Sequence, residues 1–239
     1  PLSIVGLVDD KYELKPNIRL ISQIFTILLL INNSPFKDFF TYESNQIFNF
    51  LVVFCIIFVS LAAINFFNFV DGLDGLLTSC MIIIFLSTGL YLEYNLWTIV
   101  GSLSGFLVLN WQPSKLFMGD VGSTFLGALF VGIYLLSGSF IDSFKILLLA
   151  SPLLGDACIS VIRRFLSGQS VVIPHKSFFF QRLNQGGLSH QKVTLIYSTA
   201  IFINGLCLNF GNFYSLCLAV FLELVLGIIL EKKIAVRFR

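Results

Sequence analysis

Five carboxylates stand where chemistry is possible. Asp9 and Asp10 follow the apolar stretch VGLV, Asp71 and Asp74 close the segment NFFNFVDGLDG, and Asp120 lies between glycine and valine in MGDVGS. Each sits at the end of an apolar run. A single Asp there is often solvated or caps a helix N-terminus. Five like charges gathered at one boundary are costly, and a bound cation is the economical compensation. Asn65 and Asn68 precede the second acidic pair by helical spacing, so they share a face. With no Cys or His interleaved, the donors are all oxygens, which favours Mg²⁺ over zinc. Mg²⁺ takes one or two protein carboxylates and completes its shell with water and phosphate oxygens, and this points to phosphate chemistry. The glycines after Asp71 and Asp74 allow a close turn beside a ligand, and the helix opened by Asp120 has N-terminal amides that can hold phosphate.

The opposite charge comes from 163–192, which carries Arg163, Arg164, His175, Lys176, Arg182, His190 and Lys192. Cations of this kind can hold a pyrophosphate and stabilise charge developing during transfer. Arg163 and Arg164 are also explained as topology anchors. PHKSFFFQRL, which mixes cations with large apolar side chains, suits an ordered interfacial or re-entrant element.

The elements that must position these groups are membrane helices. Of 239 residues, 56% are hydrophobic and 12% charged, with mean hydropathy +0.90; a soluble domain has about 25% charged residues. The apolar runs are of helix-spanning length, without the short alternating segments of a membrane β-barrel. The fold class is therefore all-α, a multi-pass transmembrane helical bundle. Spans are predicted near 18–31, 47–70, 76–92, 96–110, 121–138, 143–162, 193–209 and 213–230, eight complete ones, with 1–8 as the tail of an earlier helix. Alternation puts the loops 9–17, 71–75, 111–120, 163–192 and 231–239 on one side. All but two of the 15 Lys and Arg border those loops, the exceptions being Lys37 and Lys145. The positive-inside rule makes that side cytoplasmic.

The five cysteines lie inside apolar runs with no metal-binding spacing and read as packing residues. Glu223 falls mid-span with no evident partner or role. PLSIVGLV is too short to span or to act as a leader, so further helices are expected upstream. With no repeat or linker, residues 1–239 read as a single integral membrane domain.

VGLVDDK, NFFNFVDGLDGLL, FMGDVGSTFLG, PLLGDACISVIRRFLSG and PHKSFFFQRLNQGGLSH together resemble, in order and spacing, the polyprenyl-phosphate N-acetylhexosamine-1-phosphate transferases. The likeness runs from Gly6 to about His190 and is nearest to the bacterial branch that initiates O-antigen and related surface glycans. It implies an enzyme of the inner membrane, facing the cytoplasm, that moves a sugar 1-phosphate from a UDP-sugar to undecaprenyl phosphate and releases UMP. Mg²⁺ is the implied cofactor, with Mn²⁺ as its substitute. The implied partners are UDP-N-acetylhexosamine, undecaprenyl phosphate and the bilayer, with no nucleic acid; a homodimer is left open. By motif, Asn68 and Asp120 would hold the metal. Asp9 and Asp10 would serve the lipid phosphate, positioning it first and acting as bases second. Asp71 and Asp74 would serve the nucleotide, His175 and Arg182 the pyrophosphate, and Asn65 and His190 join the substrate-binding set. Relatives often carry a second histidine three residues after the first, where this chain has Phe178. Two alternatives stand beside this reading, a membrane transporter and a noncatalytic lipid-phosphate binder. A transporter would want its charges near the bilayer midplane, with repeat symmetry, whereas these acids lie at span ends.

Overall fold

A computed structural model describes residues 2–12, 14–38, 45–170 and 176–238. Among them the regular structure is helical, as expected for a chain that must satisfy its backbone within each membrane segment. In chain order the helices are α1 (Leu2–Tyr12), α2 (Pro16–Asn32), α3 (Gln46–Val70), α4 (Leu76–Tyr91), α5 (Trp97–Asn110), α6 (Gly119–Leu136), α7 (Phe140–Leu149), α8 (Ser151–Leu166), α9 (Phe179–Gln185), α10 (His190–Phe210) and α11 (Phe213–Lys233). Their starts follow local chemistry. Pro16 opens α2, where a missing N–H costs nothing. Ser189 accepts the Lys192 amide at the head of α10, and Asn212 and Ser215 cap α11 reciprocally.

Four helices, α3, α6, α10 and α11, are long and apolar enough to cross a membrane. The count falls below the eight predicted for two reasons. The apolar helices α2, α4 and α5 have 17, 16 and 14 residues, so each is only about 21 to 26 Å long against a hydrocarbon core of about 30 Å. The run predicted at 143–162 is broken: α7 and α8 meet at an 82° bend around Ala150 and make a fifth span only if counted together.

The helices group into two compact units, Pro1–Asn68 with Met118–Phe144 and Phe69–Phe117 with Lys145–Arg239. In the first, α6 is half buried, while only 17% of the apolar stretch of α3 is covered; its exposed face carries Phe50, Phe54 and Phe58, a lipid-facing surface. The Phe67 and Phe130 rings meet edge-on at 5.0 Å, and Ser60 and the Tyr134 hydroxyl are hydrogen-bonded. α1 lies directly on α6, because Gly6 has no side chain: a Cβ there would stand 2.7 Å from the Val121 Cα. In the second unit α4 packs on α5 and α10, and α9 is held among α8, α10 and α11. The cysteines are unpaired. Glu223 is not isolated: the Ser151 hydroxyl donates to its Oε2 at 3.0 Å.

Candidate active site

In the first unit the structure joins Asp9 to Asp120 through Arg19, which the sequence places only as a topology anchor, and Asn68 to Asp120 directly. Asp9, in the last turn of α1, is 4% exposed; its Oδ1 accepts the Leu14 amide at 2.8 Å and its Oδ2 lies 2.5 Å from Arg19 Nε. The same guanidinium, from the first turns of α2, donates through Nη1 to Asp120 Oδ2 at 3.1 Å. Asn68 Nδ2 donates to Asp120 Oδ1 and to Ser123 Oγ, both at 2.9 Å. One step inward, Asn65 pairs amide to amide with the buried Gln23, at 2.9 and 3.3 Å. A cavity of about 30 Å³, the scale of one or two waters, is lined by Gly6, Asp9, Arg19, Gln23, Asn65 and Asn68 among others.

One positive charge thus serves two carboxylates, and the set Asp9, Arg19 and Asp120 keeps a net charge of −1. Arg19 is 41% exposed and Asp120 36%, so the outer edge of the bridge is reachable while Asp9 is sealed beneath it. Asp120, 36% exposed, and the amide oxygen of Asn68, a residue lining the cavity, are hard donors. A carboxylate, an amide oxygen and residual negative charge suit a Mg²⁺ that fills its remaining positions with water and phosphate. Among the described residues no group of three or more His, Cys, Asp or Glu gathers. Asp10 belongs to the same turn of α1, but its side chain, like His175, lies outside the described residues.

The second unit holds Asp71, Asp74, Arg182 and His190. The turn after α3 is pinned by Asn110, whose Oδ1 accepts the Gly75 amide at 3.2 Å and the Thr78 hydroxyl at 2.8 Å. Gly75 has φ of +73°, a left-handed conformation that favours glycine. Asp74 Oδ2 lies 3.3 Å from His190 Nδ1 and accepts the Ser114 amide at 3.4 Å, while the Thr194 hydroxyl donates to the Asp74 carbonyl at 3.3 Å. Asp71 is half-buried in the same turn. The cation-rich segment contains the ordered element expected of it, α9, with Phe178, Phe180 and Leu183 buried.

Arg182 differs from the pyrophosphate ligand expected. It is 4% exposed, pairs through Nη2 with Glu231 Oε1 at 2.8 Å, and donates through Nη1 to the Val236 carbonyl at 3.2 Å; Phe179 and Phe238 flank its guanidinium. Arg163 binds the same Glu231 through both terminal nitrogens, at 2.5 and 3.0 Å. In this arrangement Arg182 fastens α9 to the end of α11, and among the described residues of the segment Lys176 and Lys192 are exposed, with the His190 ring half-buried against Asp74.

Arg19, Gln23, Ser123 and Asp156 escaped the sequence reading. Ser123 carried a signal, standing three residues after Asp120 on one helical face. Arg19 carried none, because its partners lie ten and 101 positions away.

The family model "Glycosyl transferase family 4" matches residues 1–138. Over 95% of its length the chain is 29% identical to the "Probable undecaprenyl-phosphate N-acetylglucosaminyl 1-phosphate transferase" of Bacillus subtilis, covering 68% of that protein. It is 34% identical over 66% of its length to a "Phospho-N-acetylmuramoyl-pentapeptide-transferase" of Prochlorococcus marinus, covering 48% of it. It is also 27% identical over 80% of its length to the "Decaprenyl-phosphate N-acetylglucosaminephosphotransferase" of Mycobacterium leprae, covering 57% of it. With a lipid-facing helical fold, the acidic motifs at helix ends and a family match over more than half its length, the chain belongs to glycosyl transferase family 4.

Proposed function

We propose that the protein transfers N-acetylhexosamine 1-phosphate, with N-acetylglucosamine as the first candidate sugar, from the UDP-sugar to undecaprenyl phosphate, as the first membrane step of a surface glycan such as O-antigen. A lipid phosphate oxygen attacks the β-phosphorus of the UDP-sugar. The new P–O bond forms as the bond from the β-phosphorus to the bridging oxygen breaks, and UMP leaves. The observation that carries the reading is the Arg19 bridge between Asp9 and Asp120 beside Asn68, a half-open charged cluster at the end of membrane helices. The names of the B. subtilis and M. leprae relatives support N-acetylglucosamine and a polyprenyl acceptor.

Both substrates are anions, and the chief task is to bring them together. Arg19 offers its exposed edge to the acceptor phosphate, while the buried Asp9 holds the guanidinium in place. Asp9 and Asp10 act as positioning groups ahead of any role as base, since a phosphate monoester with a second pKa of about 6 is already mostly dianionic at neutral pH. Asp120 and Asn68 would hold Mg²⁺, which when bound supplies charge neutralisation at the transferring phosphoryl group. Asp74, His190 and Lys176 face the donor. The bias of Lys and Arg toward the loops carrying these motifs supports a cytoplasmic site in a bacterial inner membrane.

Membranes holding the protein are incubated with radiolabelled UDP-sugars, undecaprenyl phosphate and Mg²⁺. Labelled lipid pyrophosphate and an equal yield of UMP are expected, abolished by EDTA and restored by Mg²⁺ or Mn²⁺. Absence of both products with every donor rejects the reaction, and indifference to EDTA removes the metal from it.

A further inference from the structure

The segment PLLGDAC contributes a carboxylate to which the reaction as described gives no work. Asp156, on α8, is buried, yet both of its oxygens are fully engaged. Oδ1 accepts the Phe179 amide at 2.7 Å and the Ser160 hydroxyl at 3.1 Å; Oδ2 accepts the Phe180 amide at 3.0 Å and the Tyr197 hydroxyl at 2.7 Å. Three elements meet on this side chain: α8, which bears it, the first two amides of α9, and α10 through Tyr197. The first amides of a helix have no partner within it and need an acceptor from elsewhere. The residue preceding α9 is Phe178, which has no side-chain acceptor, so Asp156 takes the cap's place from another helix.

A seven-residue helix does not hold itself together in water, since nucleation is unfavourable and only a few internal bonds follow. What keeps α9 in place is therefore external: Asp156 at its start, the Arg182–Glu231 pair near its end, and the burial of Phe180 and Leu183 between them. α9 lies in sequence between the exposed Lys176 and the pair His190 and Lys192, of which Lys192 is exposed and His190 rests against Asp74, and the Gln185 side chain donates to the Lys176 carbonyl at 2.9 Å. A shift of α9 thus moves the groups on either side of it.

We propose that Asp156 is a positioning residue for recognition of the sugar nucleotide, acting by fixing the N-terminus of α9 and, through it, the cationic groups that receive the donor's pyrophosphate. The inference rests on the transferase reading above. Charge-assisted bonds to an anionic acceptor are the stronger kind, and that orders the variants. Asp156→Ala removes the acceptor. Asp156→Asn keeps the shape but brings an NH2 group to face donors. Tyr197→Phe deletes one of the four donors and leaves the carboxylate.

The test has two readouts. Hydrogen exchange reports the backbone without any turnover: the Phe179 and Phe180 amides are expected to exchange at least tenfold faster in Asp156→Asn, with α4 and the interior of α10 unchanged. Steady-state kinetics report function: KM for the UDP-sugar is expected to rise about tenfold in Asp156→Asn and about threefold in Tyr197→Phe, with KM for undecaprenyl phosphate unmoved. Unchanged exchange at both amides overturns the proposal, as does an equal rise in KM for both substrates. A fall in kcat alone, with both KM values intact, overturns it too. If Asp156→Ala does not fold, Asp156→Asn and Tyr197→Phe still decide. If the parent protein turns over no donor while the exchange pattern appears as expected, the transferase reading fails and the anchoring of α9 stands.

Discussion

Two three-charge clusters in this protein are built in opposite senses. In one unit a single guanidinium, Arg19, lies between two carboxylates, Asp9 and Asp120; in the other a single carboxylate, Glu231, lies between two guanidiniums, Arg163 and Arg182. The first leaves one negative charge and the second one positive charge. Exposure separates their uses. The Asp120 end of the first cluster is open, so its residual charge can act on a cation or on substrates. In the second, Arg182 is sealed against Val236 and two aromatic rings, and its charge is spent on fastening α9. Charged residues drawn from the same set of motifs thus differ in accessibility, Asp120 partly exposed and Arg182 sealed.

That contrast can be broken by substitution. The largest effect is expected from Asp120→Ala, which removes the open end of the acidic cluster. Transfer should fall by at least about 10³-fold, the scale of losing the principal charge-stabilising group, while the protein remains folded. Activity within tenfold of the parent would remove Asp120 from the reaction. Next comes Arg19→Ala, which leaves Asp9 buried without its cation. A loss of about 2–3 kcal/mol is expected in chemical denaturation, together with transfer reduced by about 10²-fold; normal stability would show that Asp9 does not depend on the bridge. Gly6→Ala probes how α1 is held on α6. The added methyl meets backbone at Val121, and about 1–3 kcal/mol of stability should be lost, with activity falling in parallel because Asp9 is displaced. The smallest effect on transfer is expected from Glu231→Gln. Arg163 is 39% exposed and its share of the pair is discounted by solvent, but Arg182, 4% exposed, loses its carboxylate, so about 2 kcal/mol of stability is lost, with transfer within about threefold. If Glu231→Gln proved as damaging to catalysis as Arg19→Ala, the two clusters would not differ in kind.

Much of this was legible in the sequence, for identifiable reasons. Hydropathy runs report burial in lipid directly, so the membrane class and the long helices α3, α10 and α11 were visible. The break at Ala150 is hidden in hydropathy, because the run stays apolar, and its one local signal is Pro152, which cannot donate within a helix interior and is at home only in a first turn, here that of α8. Helix bounds in the 76–110 region were legible to within a residue, 76–92 and 96–110 against Leu76–Tyr91 and Trp97–Asn110, because a polar or glycine-rich break closes each apolar run. Asp120 and Asn68 could be paired through the family motifs. The Arg19 bridge could not, because ten residues and a helix reversal separate it from Asp9, and nothing local distinguishes a bridging arginine from a topology anchor. Arg182 misled for a related reason: a cation in a loop looks available until its carboxylate partner, here 49 residues away, is placed. Asp156 was concealed because three of its four partners, Phe179, Phe180 and Tyr197, lie in two later elements.

The central claim is that the Arg19 cluster serves the acceptor phosphate and metal while the Asp74–His190 region serves the donor. Steady-state KM values for both substrates in Arg19→Lys and His190→Ala test it most directly. The expected result is a crossed pattern: Arg19→Lys raises KM for undecaprenyl phosphate about tenfold and leaves the UDP-sugar within twofold, and His190→Ala does the reverse. Both variants raising KM for the same substrate by similar factors would contradict it.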